Sequence, residues 1–248
     1  MRFAVRLSFN GSSYFGWQSQ HGGNTVQDII ENTIEKRYGQ YFPITGCCRT
    51  DSGVHASDFV FHFDSVNDIR EDFIYRMNKM LPDRIVLKSI YLVEDSFHSR
   101  FDAISRSYTY HISASKNVFN SEFSYYFPTI ENADFDLMQQ ACEIIRNSSE
   151  FFPFCKSKSD VSTMKCNIME IGWNKNTEES NYYFRIVSDR FLRGMVRMIV
   201  GACLNIGLKK IEIDDLEYSL KNQIILKKSW SVPAHGLFLD GVKYLTID

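Results

Sequence analysis

The sequence predicts an α+β protein made of two similar halves, each running strand–helix–strand–strand–helix–strand. Two observations carry that expectation. Short runs alternate apolar and polar residues at period two, longer runs carry apolar residues at helical spacing, and the two kinds follow one another in the same order twice. In addition, no apolar run approaches the ~18 residues that crossing a bilayer requires.

In the first half, Arg2 to Phe9 alternates as a strand. Val26 to Tyr38 places Val26, Ile29, Ile30, Thr33, Ile34 and Tyr38 on one helical face, with Thr25 as N-cap. Phe42 to Cys48 reads as a short strand. Ser57 to Phe63 is a strand with Phe59, Phe61 and Phe63 on one side. Arg70 to Leu81 is helical and stops before Pro82, and Ile85 to Val93 is a strand. The second half repeats the order loosely. Ser105 to Ile112 is a strand and Phe135 to Arg146 an amphipathic helix. Ile168 to Trp173 and Tyr182 to Val187 form a hairpin pair across Asn174 to Asn181. Phe191 to Leu208 is a helix, followed by a short helix from Asp214 to Leu220 and a last strand near Leu237 to Ile247. Ser148 to Lys165 has no period and reads as a long functional loop. The order is the split βαβ, or ferredoxin-like, plan. Two such subdomains, 1–103 and 104–248, are expected to form one mostly antiparallel sheet with helices on one face and a cleft at their junction.

The 248 residues, 44% hydrophobic and 23% charged, have the balance of a water-soluble globular chain. The N-terminal run Met1-Arg2-Phe3-Ala4-Val5-Arg6-Leu7 has arginines inside it and no small-residue cleavage site, so a cytoplasmic location is expected. Six cysteines and six histidines are scattered without metal-ligand or disulfide spacing, so neither a metal site nor a disulfide framework is expected. A net charge of −2 argues against indiscriminate nucleic-acid binding. It leaves room for a local basic groove, because phosphates respond to charge within roughly 8–10 Å.

The run Gly46-Cys47-Cys48-Arg49-Thr50-Asp51-Ser52-Gly53-Val54-His55-Ala56 concentrates the chemistry. Asp followed by Ser-Gly favours a tight turn, since its side chain can bond the backbone ahead while Gly accepts φ > 0. Such a turn presents a carboxylate with little freedom, as a nucleophile requires. The tripeptide alone is more often an ordinary Asx-turn beside a solvated arginine, and the wider context reverses that balance. In the helix from Phe191, a turn of about 100° per residue gathers Leu192, Met195, Val196, Ile199 and Cys203 on one side. Arg190, Arg193 and Arg197 gather opposite, with Gly194 and Gly201. Arginines on a helix face are commonly just solvated. Two glycines there, each costing about 1 kcal/mol in a helix interior, point instead to close packing against a phosphate backbone or the Asp51 loop.

Five blocks in order resemble the tRNA pseudouridine synthase family. They are Phe9-Asn10-Gly11-Ser12-Ser13-Tyr14-Phe15-Gly16-Trp17-Gln18-Ser19-Gln20, the Cys48-to-Ala56 run, and Phe97 to Ala103 with Arg106-Ser107-Tyr108-Thr109-Tyr110. Phe191 to Gly201 and Gly236-Leu237-Phe238-Leu239 complete the set. Asn10 and Cys48 depart from the family's usual Asp and Gly. The resemblance implies that uridine in the tRNA anticodon stem–loop, at positions 38 to 40, is isomerised without cofactor or metal. That agrees with the missing Walker and Rossmann fingerprints.

It also implies roles. Asp51 is the nucleophile, adding at C6 of the ring or assisting base loss at C1′. Arg197 is the cation that keeps Asp51 ionised, or else a phosphate contact. Tyr108 stacks on the uracil and handles the C5 proton, with Tyr110 on the same sheet face. Arg49 helps hold the flipped nucleotide. Leu237 and Phe238 line the uracil pocket or belong to the core, and Arg190 and Arg193 meet phosphates. His55 is expected to be a structural loop residue. The partners implied are the tRNA anticodon arm and a second copy of the chain in a homodimer, with no membrane and no small-molecule cofactor. The rivals are a family member acting on another RNA and a non-catalytic RNA-binding module.

Overall fold

A computed structural model of the chain describes residues 1–156, 163–176, 180–228 and 230–247. Its elements are β1 (Arg2–Phe9), α1 (Val26–Tyr38), β2 (Thr45–Gly46), β3 (His55–Asp64), α2 (Phe73–Met80), β4 (Ile85–Val93), β5 (Ser105–Ser113) and β6 (Tyr125–Tyr126). They continue with α3 (Phe135–Arg146), β7 (Ile168–Asn176), β8 (Asn181–Ser188), α4 (Met195–Gly207), α5 (Ile213–Asn222) and β9 (Leu237–Lys243). The class is α+β with mostly antiparallel pairing, and the chain divides into two compact units. One is Met1–Arg106 together with the chain from Phe238 onward, and the other is Ser107–Leu237.

In the first unit β1 lies between β4 and β3, antiparallel to both, and β2 pairs antiparallel with β3. β9 joins β3 in parallel, with His55 opposite Phe238 and Ala56 opposite Leu239. Helix α1 starts where Thr25 accepts the Asp28 N–H and stops at Gly39, whose φ of 68° closes the last turn. Val26, Ile30 and Ile34 form its buried face.

The core is aromatic. Phe59, Phe61 and Phe63 share one face of β3, and Trp17 stacks on Phe59 with 4.0 Å between ring centroids. Phe63 packs between Phe3 and Phe73. Each such buried ring contributes roughly 1.5–3 kcal/mol. Val60 and His62, on the opposite face of β3, are buried as well.

Buried His62 accepts the Ser99 N–H at Nδ1 (3.2 Å) and meets the His98 ring at 4.9 Å. Burial, then the charges of Arg2 and His98, lower its pKa from 6.5 to about 4. The unfolded chain therefore takes up a proton near pH 6.5 that the folded chain refuses until about pH 4. Stability is full above pH 6.5 and falls as the pH drops through that window, by about 3 kcal/mol in all. Thermal melts from pH 7 to 4 should record the loss, and His62→Gln should flatten it. An unchanged slope in the variant would assign the acid sensitivity elsewhere.

In the second unit β8 lies between β5 and β7. β7 and β8 are antiparallel, and β6 runs parallel to β5. The hairpin turn expected at 174–181 is described only at its flanks, since residues 177–179 lie outside the described residues. The same holds for 157–162 within the expected 148–165 loop. The flanks of that loop are ordered by a bridge between Glu150 and Lys165 and by a 3₁₀ turn at Phe152–Phe154 that buries Phe154.

Two helices start later than the periodicity predicts. α2 begins at Phe73, not Arg70, because Asp72 takes a left-handed φ of 59°. α4 begins at Met195, not Phe191, because Gly194 sits at φ 71°. Arg190 and Arg193 therefore precede the helix, and the expected face of three arginines reduces to Arg197. The protein groups nearest the two glycines belong to Trp230 and Lys156. A Cβ at Gly201 would lie 2.0 Å from the Trp230 carbonyl oxygen, and one at Gly194 2.9 Å from the Lys156 side chain. The strand expected over Phe42–Cys48 shrinks to Thr45–Gly46, and the last strand ends at Lys243.

Candidate active site

The Asp51 turn is closed by its own backbone and bedded on the opening motif. The Val54 N–H donates to the Asp51 carbonyl (3.2 Å), and Gly53 takes φ 79°. Tyr14 offers its carbonyl to the Ser52 hydroxyl (3.2 Å) and the Gly53 N–H (3.4 Å), while the Trp17 N–H reaches the Thr50 carbonyl (3.3 Å). Two glycines of the motif make the closest contacts: a Cβ at Gly11 would lie 1.9 Å from the Val54 oxygen, and one at Gly16, whose φ is 88°, 2.4 Å from the Thr50 oxygen. The opening motif is thus the floor of the turn. Asp51 is half-buried on it, Arg49 is exposed, and Thr50 is buried between them.

The two departures from the family pattern are accommodated here. Asn10 accepts the Ser12 N–H at 3.0 Å, a cap that Asp would make equally. Cys48 is not among the described non-glycine residues with positive φ, so the chain enters the turn through a conformation that a side chain tolerates.

Behind the turn stands a buried arginine to which the sequence reading gave no role. Arg106 donates to the carbonyls of Cys47 (3.0 Å) and Ala103 (3.1 Å) and to that of Arg100. It ties the entry of the Asp51 turn to the Phe97–Ala103 block. The available signal was a charged residue inside an otherwise hydroxyl-rich, aromatic strand. His55, the first residue of β3, is buried, accepts the Gly11 N–H at Nδ1 (3.1 Å), and stacks on Phe238 at 4.6 Å. Both contacts are structural, and the stack occupies one face of the Phe238 ring.

The second unit holds the other named residues. Tyr108 and Tyr110 share one face of β5, two residues apart. Tyr108 is buried edge-to-face against Phe191 at 5.1 Å. Tyr110 has no exposed surface, its hydroxyl donates to the Pro233 carbonyl (2.8 Å), and burial pushes its phenol well above its usual range. It serves as a buttress under the strand. Arg197, in the first turn of α4, is half-buried and donates from Nε to the Val232 carbonyl at 2.7 Å. The strap Val232–Pro233 thus fixes both Tyr110 and Arg197, and Leu237 is buried a few residues later. Arg190 is half-buried, its N–H bonded to the Asp189 carboxylate at 2.7 Å. Arg193 is exposed, and its carbonyl accepts the Lys156 N–H at 3.1 Å.

Among the described residues no group of three His, Cys, Asp or Glu side chains could hold a metal ion, and no helix is long and apolar enough to cross a membrane. Chemically, the first unit offers a rigidly presented carboxylate with an exposed arginine two residues before it. The second offers a tyrosine and a braced guanidinium.

Over 98% of its length the chain is 38% identical to a tRNA pseudouridine synthase A of Parabacteroides distasonis, 96% of which is covered. The chain belongs to the tRNA pseudouridine synthase family. A sequence model of that family, described as tRNA pseudouridine synthase, matches residues 149–245. Proteins named tRNA pseudouridine synthase A from Porphyromonas gingivalis and Bacillus subtilis are 36% and 32% identical over 98% of the chain, covering 97% and 99% of their own lengths. The family is one of isomerases that convert uridine to pseudouridine in tRNA.

Proposed function

We propose that this chain converts uridine to pseudouridine in the anticodon stem–loop of tRNA, with Asp51 as nucleophile. The observation that carries the reading is the near full-length likeness to synthases of this name, with Asp51 on a turn clamped by the opening motif. In the reaction the C1′–N1 bond breaks, the uracil rotates, and C5 bonds to C1′. The C5 proton leaves to solvent while N1 gains one. Electrons balance without oxidant or reductant, so the side chains suffice.

Asp51 attacks C6 or C1′. Arg197 is the catalytic cation, the role that the family resemblance implies for it. Tyr108 stacks on the everted base and handles the C5 proton on its way to solvent. Arg49 holds the flipped nucleotide, Leu237 bounds the pocket, and Arg190 and Arg193 meet phosphates. Each unit follows a ferredoxin-like plan, and the first unit's β4-β1-β3-β2 antiparallel order supports that description. Reading several neighbouring uridines calls for recognition by shape and backbone.

Release of tritium from tRNA labelled at uridine C5 tests the activity, and sequencing of the product locates the sites. Absence of release from every tRNA would sink the reading. The working form is a cytoplasmic homodimer in which one subunit holds the target arm and its partner the tRNA body. A sedimenting monomer that modifies tRNA at full rate would contradict that assembly.

A further inference from the structure

The turn from His98 to Asp102 presents an aromatic ring to solvent on unusually firm backing. Phe101 is 73% exposed. Its backbone N–H and that of Arg100 both point at His98 Nδ1 (3.3 and 3.2 Å), the His98 N–H donates to the Asp102 carboxylate at 2.7 Å, and the Phe101 and Asp102 N–H groups return to the His98 carbonyl. The His98 ring packs against Phe101 with 4.3 Å between centroids, and the Arg100 guanidinium carbon lies 5.6 Å from the centre of the Phe101 ring. Among the described residues Arg100 forms no ion pair. The turn is also anchored from outside, since Arg106 holds the Arg100 carbonyl in the same grip as that of Cys47, four residues before Asp51.

We propose that the His98–Asp102 turn is an RNA contact in which Phe101 stacks on an unpaired base of the tRNA and Arg100 pairs with a neighbouring phosphate. Every base has a π-face, so an aromatic ring accepts any nucleotide, and a guanidinium beside it adds charge without demanding sequence. Such a platform grips RNA without reading its sequence. Because Arg106 bonds both the platform and the entry to the Asp51 turn, the stacked base is held in fixed register with the carboxylate. The proposal rests on the tRNA reading above. It favours RNA over a second copy of the chain because the apolar ring comes paired with a cation that forms no ion pair among the described residues.

The test uses the full-length chain and unmodified tRNA. Phe101→Ala and Phe101→Leu should each raise KM for tRNA roughly 5- to 150-fold, the range that loss of one base–aromatic stack produces. In both, kcat should stay within about twofold, because the ring does no chemistry. Phe101→Tyr should keep the wild-type KM. Emission from Phe101→Trp should be quenched on adding tRNA, beyond any change in wild-type fluorescence. An unaltered KM in Ala and Leu, with no added quench in the Trp variant, would overturn the platform and leave the isomerase reading standing. A wild-type enzyme that releases no tritium would overturn the isomerase reading, and the quench would still judge the platform. If the introduced indole is already shielded from acrylamide without RNA and becomes accessible on dilution, the ring belongs to a subunit contact and the proposal fails.

Discussion

Asp51→Asn should abolish tritium release, lowering kcat by roughly 10³-fold or more while tRNA affinity changes by no more than a few-fold. The substitution is nearly isosteric. Main-chain groups and the Ser52 hydroxyl on the Tyr14 carbonyl hold the turn it sits on, and asparagine keeps the shape of the side chain. The fold and the RNA surface should therefore survive. What disappears is the negative oxygen, and an amide cannot form the adduct at C6 or C1′. A thousandfold loss corresponds to about 4 kcal/mol of transition-state stabilisation, too large for a residue that only shapes a loop. Asp51→Ala should behave alike, which guards against an asparagine reverting to a carboxylate by deamidation. Release persisting at the wild-type rate in both variants would remove Asp51 from the chemistry.

Gly16→Ala should damage the same site without touching a reactive group. Two costs combine there. A left-handed φ of 88° is strained for any residue with a side chain, and the new methyl would lie 2.4 Å from the Thr50 oxygen. We expect a loss of roughly 2–4 kcal/mol of stability, or about 4–16 °C in Tm for a chain of this size. A fall in kcat should be measurable even well below the melting range, because relief of the clash displaces Thr50 and with it Asp51. Gly39→Ala is the control: its φ of 68° is similar, yet nothing lies within 4 Å of the added carbon. If the two variants melt together, close packing under the Asp51 turn contributes nothing.

Much of the fold was legible because side-chain periodicity carries it. α1, α3, β1 and β4 lie where their apolar spacing places them, and the Thr25 cap is made as its position suggests. The starts of α2 and α4 were not legible, since each depends on one left-handed residue, Asp72 or Gly194, that interrupts an otherwise acceptable pattern. That interruption dissolved the arginine face inferred from the wheel. Short pieces such as β6, and the 3₁₀ turns, carry too few residues to establish a period.

At the site, the Asp51 bend could be read from Asp-Ser-Gly, and five blocks in order pointed to the family. What braces those residues could not be read. Cys47, Tyr14, Val232 and Pro233 act through carbonyl oxygens, which every residue possesses and no sequence marks. The role of Arg106 emerges only when the three carbonyls it gathers are seen together.

The pairing of β9 with β3 places a constraint on biosynthesis. His55 gains its stacking partner Phe238 only after all of residues 107–237 have left the ribosome. During translation the earlier unit must wait with an open edge beside its acidic bend, and the intervening unit can condense before its neighbour is finished. Catalytic competence is therefore a late event in the life of the nascent polypeptide, whatever the speed at which the first strands collapse.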